Sequence, residues 1–193
     1  MKRNWILVGA LAVALAGTVT GTAAATDAPH AATARPRAAA SCGITWGSLA
    51  KEAGSLSTAT LLEARTGQHD CWDRVVFEFN GPADGYRVAY GDVFTDGEGL
   101  LLNPYVAGGA VLGVSLRAPA YGEGMPTYPA MSGQHVATAI RYRTLRDVVF
   151  GGSFEGYTTF AVGVRATLPF RVFVLAGPGS HSRIVLDVAH SWS

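Results

Sequence analysis

The chain has 193 residues, with 15 Lys or Arg against 14 Asp or Glu and a formal net charge of +1. Domains that bind nucleic acid usually concentrate basic residues in one patch. No such concentration occurs in this sequence, so we expect no nucleic-acid partner. The abundance of Ala, Gly and Val, and of Arg over Lys, is typical of a GC-rich bacterial genome.

The first 25 residues have the three parts of a secretory signal peptide. Lys2 and Arg3 form a basic start, residues 5–16 form an apolar run, and residues 23–25 offer an Ala-x-Ala cleavage site. The apolar run is shorter than the roughly 20 residues that a membrane-spanning helix needs. The sequence therefore predicts a secreted protein that meets the membrane only during export.

A linker is predicted over residues 26–41, which are almost all Ala, Thr and Pro and include no large apolar side chain. Such a segment cannot contribute to a hydrophobic core. The remaining residues, 42–193, have the length of one domain. A domain of about 150 residues buries roughly 70% of the surface that its unfolded chain exposes.

Cys42 and Cys71 are the two cysteines of the chain. In an exported protein, two cysteines are typical of one disulfide. This disulfide would close a loop of about 30 residues and stabilise the domain by ~3–4 kcal/mol. The alternative is lipidation of Cys42, but a lipidated cysteine follows directly after the apolar run, which here ends near Ala16. We therefore predict the disulfide.

Short segments of alternating hydrophobicity follow one another along this domain. In the clearest of them, Val75, Phe77 and Phe79 point one way, whereas Val76 and Glu78 point the other way. Further strands are predicted over residues 61–66, 86–90, 100–103, 110–117, 160–165, 170–174 and 184–188. About eight or nine strands separated by Gly and Pro turns predict an all-β fold, an antiparallel β-sandwich.

The alternation also predicts which side chains form the core between the two sheets. They are Val75, Phe77, Phe79, Leu112, Val114, Phe160, Val162, Val172, Val174 and Leu186. Residues 119–134 break the pattern because they contain three prolines and several glycines. We predict a long surface loop there, and long loops in compact domains often carry function.

Residues 60–190 contain a series of short motifs in a particular order. They are residues 64–70 (ARTGQHD), 73–79 (DRVVFEF), 85–90 (GYRVAY), 154–156 (FEG), 168–173 (LPFRVF) and 186–190 (LDVAH). Taken together, they resemble the AMIN-like domain of actinobacterial secreted proteins and lipoproteins. The resemblance implies a β-sandwich that is located outside the cytoplasmic membrane.

The resemblance also implies a role. Related AMIN domains are similar to targeting modules that bring cell-wall amidases to peptidoglycan, and no amidase domain follows this module before Ser193. No catalytic residues carry over from the family. We therefore expect a non-enzymatic module of the cell envelope that binds peptidoglycan, another wall polymer or a wall-associated protein. A protein-only adaptor is an alternative.

Two polar pairs at the start of the clearest strand are candidates for chemistry. A metal site needs three or four convergent ligands, and no other histidine stands at ligand spacing from His69 and Asp70, so we expect no metal or cofactor. These two side chains are expected to organise a turn. Asp73 is expected to accept hydrogen bonds from backbone amides or to pair with an arginine such as Arg165 or Arg171.

Ser132 and His135 suggest a second alternative, a hydrolase with its site near these two residues. The sequence contains no Gly-x-Ser-x-Gly elbow, and closeness in sequence does not make a catalytic triad. We therefore expect no enzymatic activity.

Three residues are predicted as ligand contacts from their chemistry. They are Arg87, Tyr90 and Tyr128. Arginine supplies a rigid fork of donors, and tyrosine supplies a flat apolar face with a polar tip. No spacing rule places the three on one face of the fold. They are expected on an exposed sheet face or in the 119–134 loop.

Overall fold

The computed structural model describes residues 42–139 and 141–192. The predictions made for residues 1–25 and 26–41 lie outside the described residues and stay predictions. The described segments contain β-strands, turns and one 3₁₀ turn, Asn103–Tyr105. Within them, no helix has the length and apolar character needed to cross a membrane.

The described residues form twelve strands. In chain order they are Lys51–Ala53 (β1), Leu61–Gln68 (β2), Trp72–Phe79 (β3), Tyr86–Tyr90 (β4), Ala110–Leu116 (β5), Tyr121–Gly122 (β6), Met125–Pro126 (β7), His135–Thr138 (β8), Leu145–Phe154 (β9), Tyr157–Val164 (β10), Phe170–Ala176 (β11) and Ser182–Ala189 (β12). A six-stranded sheet has the order β1-β4-β5-β10-β9-β8, and a four-stranded sheet has the order β11-β12-β3-β2. Strands β6 and β7 form a small separate hairpin. All pairings are antiparallel, so the predicted fold class is confirmed.

The largest error of the strand prediction is β9, which is the longest strand and was not predicted. Its middle residues Val148, Val149 and Phe150 are all buried. A strand that is buried on both faces has no period-2 alternation, so the sequence pattern gave no signal. The strand predicted over residues 100–103 was also wrong: Leu101 forms an isolated bridge with Phe94, and the 3₁₀ turn follows.

The core lies between the two sheets. Phe77 of β3 contacts Phe160 of β10, with ring centroids 4.8 Å apart. Eight of the ten predicted core residues are buried, and Val172 is partly buried against the same cluster. The prediction was wrong for Val174, which is 39% exposed. The reason is that β11 is the edge strand of its sheet.

A second, smaller core covers the outer face of the six-stranded sheet. Residues 91–109 lie across this face, and their buried side chains Val93, Leu102 and Val106 pack against Val149 and Ala161. The close approach requires a glycine at position 163, because a Cβ atom there would collide with the backbone of the covering segment. This cover explains why both faces of β9 are apolar.

The segment 119–134 was predicted as a surface loop, and this prediction was only partly correct. It contains the exposed β6–β7 hairpin, but Pro119 and Ala120 are buried. Tyr128 is buried as well, with its ring centroid 5.3 Å from that of Phe150 and 5.8 Å from that of Phe160. Desolvation raises the pKa of Tyr128 to about 12. The segment therefore closes part of the core.

The predicted disulfide between Cys42 and Cys71 is present, with a Cα–Cα distance of 5.7 Å. It ties the first described residues to the turn that precedes β3. The buried side chain of Ile44 holds the same N-terminal segment against the domain.

We predict that Phe77→Ala lowers the free energy of unfolding by ~3–5 kcal/mol, because it removes a fully buried ring and leaves a cavity. The matched control is Val174→Ala at the sheet edge, for which we expect less than about 1 kcal/mol. Urea denaturation followed by fluorescence measures both. Similar losses for the two variants would contradict the assignment of the core.

Candidate functional site

A polar cleft lies at one end of the sandwich, and we call it the end cleft. It encloses about 280 Å³. Its lining comes from the turn between β2 and β3, the segment between β8 and β9, and the residue after β12. The lining residues are Gln68, His69, Asp70, Asp73, Arg141, Arg143 and His190.

The floor of the end cleft is the buried carboxylate of Asp73. One of its oxygens, Oδ2, accepts hydrogen bonds from the backbone amides of Thr144 at 2.6 Å and Leu145 at 2.9 Å. The other, Oδ1, lies 3.1 Å from Nε2 of His190. Since Asp73 belongs to the four-stranded sheet and Leu145 starts β9 of the other sheet, this carboxylate joins the two sheets. The predicted backbone-amide role of Asp73 is confirmed, and within the described residues no arginine pairs with this carboxylate.

His190 is held on several sides. Its Nδ1 lies 3.2 Å from the carbonyl oxygen of Asp70, so both ring nitrogens face acceptors. The backbone amide of His190 donates to the Cys71 carbonyl, and the guanidinium of Arg165 donates to the His190 carbonyl. The imidazole is therefore a fixed wall of the cleft.

His69 forms the outer rim, and the structure corrects its predicted role. The turn is closed by the backbone, since the amide of His69 donates to the Trp72 carbonyl at 3.0 Å. The imidazole stacks on the Trp72 indole instead, with ring centroids 5.2 Å apart. In the described part of the chain, the carboxylate of Asp70 has no hydrogen-bond partner. Stacking on a large aromatic surface explains why the imidazole turns away from the backbone.

Two arginines stand at the mouth of the end cleft. The guanidinium of Arg143 is 3.4 Å from the Asp70 carbonyl. The backbone carbonyl of Arg141 accepts a hydrogen bond from the side chain of Gln68 at 2.8 Å. Among the described residues, neither guanidinium forms an ion pair with a carboxylate. The site can therefore offer two exposed forks of donors to an anionic or polyhydroxylated ligand.

The structure keeps Ser132 and His135 close but does not assemble them. Nδ1 of His135 lies 2.9 Å from the buried carboxylate of Asp147, whereas the hydroxyl of Ser132 donates to the Gly151 carbonyl at 3.0 Å. Within residues 42–139 and 141–192 there is no hydrogen bond between Ser132 and His135, and no group of three or more His, Cys, Asp or Glu suited to a metal ion. This geometry does not present an activated serine.

The three residues predicted as ligand contacts do not meet on one exposed face. Arg87 is exposed, with its Nε 3.8 Å from Glu52. The hydroxyl of Tyr90 both donates to and accepts from the backbone of Leu168, so its polar tip is used internally. Tyr128 is buried because its ring completes the core. Their role in binding stays a prediction, and only Arg87 offers its functional group to solvent.

Sequence reasoning missed the end cleft as a unit. Four of its lining residues, Gln68, His69, Asp70 and Asp73, lie around one predicted strand end, and His190 closes the last motif. The clustering of these polar residues was the available sequence signal for the cleft. Arg141 and Arg143 lie outside all the motifs, and only the fold brings them to the site.

We predict that Asp73→Ala lowers the free energy of unfolding by roughly 3–5 kcal/mol, since each buried donor that loses its acceptor costs about 1–3 kcal/mol. The control is Asp70→Ala, which removes an exposed carboxylate of the same cleft and should change stability by less than about 0.5 kcal/mol. Chemical denaturation of both variants tests this. A small loss for Asp73→Ala would mean that this carboxylate does not join the sheets.

The comparisons with known proteins agree with this architecture. The AMIN-like domain family matches residues 59–190, which include both main sheets except β1, and every lining residue of the end cleft. No curated protein and no solved structure matches the chain. AMIN-like domains are cell-wall-associated modules and are generally non-catalytic. Because the match extends over more than half of the chain, the protein belongs to the AMIN-like domain family.

Proposed function

We propose that the protein is a secreted, non-enzymatic module of the cell envelope that binds peptidoglycan or another wall polymer through the end cleft. The observation that carries this proposal is the pair Arg141 and Arg143, whose guanidinium groups lack carboxylate partners within the described residues. They stand over a floor that Asp73 and His190 hold rigid. The family membership supplies the cell-wall context.

The chemistry of the end cleft suits a wall polymer. Peptide stems of peptidoglycan carry carboxylates, which guanidinium forks bind with two parallel hydrogen bonds. Its glycan strands carry hydroxyl and amide groups, which the exposed side chains of Gln68 and Asp70 complement as donor and acceptor. Because the floor is fixed by buried hydrogen bonds, the loss of conformational entropy on binding is confined to the exposed side chains at the mouth of the cleft.

Secretion is supported by two features of the chain. The first 25 residues have the pattern of an export signal, and the Cys42–Cys71 disulfide is typical of proteins that fold in an oxidising compartment. Both features agree with a role in the cell envelope.

A second candidate function, a protein-only adaptor, is favoured by one observation. Several large apolar side chains near residues 94–105 are exposed, among them Phe94, Leu100 and Tyr105, the last with 70% of its surface in solvent. Clustered apolar surface often marks a site of protein contact. The experiment below separates this function from wall binding.

We predict that the protein co-sediments with purified sacculi at low salt. The double variant Arg141→Ala/Arg143→Ala should bind about tenfold more weakly, since an exposed charge-assisted pair contributes on the order of 1 kcal/mol or more. Binding should also weaken as salt rises, because exposed charges are screened beyond about 8 Å at physiological ionic strength. The matched control is Arg87→Ala, which removes one exposed charge from the six-stranded sheet.

If the unmodified protein fails to sediment at low salt, wall polymer is not the ligand and the adaptor is favoured. If Arg87→Ala weakens binding as much as the double variant does, the contact lies on the six-stranded sheet. Release of soluble muropeptides that disappears in His135→Ala would replace binding with hydrolysis.

A further inference from the structure

The outer face of the four-stranded sheet carries a second cluster, which we call the aromatic–arginine platform. It consists of Trp46, Trp72, Arg74, Arg171, Phe173 and Asp187. Trp72 connects it to the end cleft, because the His69 imidazole at the rim of the cleft stacks on the Trp72 indole. Trp46 lies before the start of the family match.

The platform holds one buried carboxylate between two guanidinium groups. Asp187 is 0% exposed and accepts from Arg74 at 2.6 Å and 2.9 Å, one bond to each of its oxygens. Arg171 donates its Nε–H to the same carboxylate at 2.9 Å. Two positive charges therefore meet one negative charge, and the platform keeps an excess of one positive charge.

Aromatic rings fix the exposed guanidinium of Arg171. Its central carbon lies 4.3 Å from the ring centroid of Trp46, 5.0 Å from that of Trp72 and 5.1 Å from that of Phe173. Such cation–π contacts hold the group in one orientation. The side chain of Arg171 nevertheless remains 38% exposed. An immobilised cation thus reaches solvent beside flat apolar rings.

Most charges elsewhere on this sheet face are already compensated. Arg65 pairs with Glu63 and Glu78, and His181 also contacts Glu78. These hydrogen bonds, first the one from His181, hold the pKa of Glu78 below its usual range. Among the described residues of this face, Arg183 is the remaining cation, and it lies opposite Glu78 in the register of β12 and β3. The uncompensated positive charge with aromatic neighbours is therefore specific to the platform.

We propose that the aromatic–arginine platform binds an acidic glycan whose pyranose rings carry carboxylates. The sugar ring packs against the partly exposed Trp46 side chain, and the carboxylate accepts from guanidinium N–H groups that Asp187 does not use. Charge complementarity requires an anion, and the flat aromatic surfaces favour a sugar ring over an acyclic polyol phosphate chain. This site is separate from the end cleft and does not depend on the wall contact proposed there.

The test is calorimetric titration of the purified protein with polygalacturonate, with neutral dextran as the uncharged polymer. We expect binding to polygalacturonate and none to dextran. Arg171→Gln should weaken binding about tenfold, and the fold should survive because Asp187 keeps both hydrogen bonds from Arg74. Trp46→Ala should weaken it by about fivefold or more, and this residue lies outside both sheets. The charge-matched control Arg183→Gln, on the same face, should change affinity less than about twofold.

Four results would overturn the proposal. Three are the absence of polygalacturonate binding at low salt, equal weakening by Arg183→Gln and Arg171→Gln, and tighter binding to a poly(glycerol phosphate) than to polygalacturonate. The fourth concerns the end cleft. Arg141→Ala/Arg143→Ala should retain most of the polygalacturonate affinity. Its loss in that variant would assign the acidic glycan to the end cleft and overturn the platform as a site.

Discussion

The structure depends most on the buried carboxylate of Asp73, because a buried charge is tolerated only when hydrogen bonds replace its lost hydration. Its bonds to the amides of Thr144 and Leu145 connect β3 to the start of β9, and thus one sheet to the other. Thr144 adds a further contact between the sheets by donating its hydroxyl to the Ala189 carbonyl. The hydrophobic core holds the two sheets together, and this group of hydrogen bonds, which we call the inter-sheet joint, determines how the sheets meet at one end.

The inter-sheet joint also fixes the positions of residues in the candidate site. The remaining oxygen of Asp73 contacts His190, so the group that joins the sheets also forms the floor of the end cleft. Arg143 directly precedes Thr144 in the chain and Arg141 lies three residues before it, so fixing Thr144 places both arginines at the mouth of the cleft. Asp187 has a comparable position on the outer sheet face, where it aligns Arg74 and Arg171. Buried acids thus orient exposed cations at two neighbouring surfaces.

The sheets could be predicted from the sequence wherever one face is buried and the other is not. Val75, Phe77 and Phe79 alternate with polar or half-exposed neighbours, and their strand and its core face were predicted correctly. Strand β9 escaped prediction because residues 91–109 cover its outer face and remove the alternation. The end cleft escaped for another reason: Asp73 and His190 are 117 positions apart, and no local pattern reports contacts over that distance. Tyr128 shows a different kind of error: it was predicted as a ligand contact from its chemistry, but its ring is buried in the core.

Contact between wall material and the end cleft can be measured by amide hydrogen exchange of the intact protein, followed by mass spectrometry with and without soluble peptidoglycan fragments. We expect slower exchange in peptides that contain residues 68–72, 141–145 and 189–192, with little change elsewhere. Slower exchange confined to residues 86–90 or 119–134, or no change at saturating fragment concentration, would contradict it.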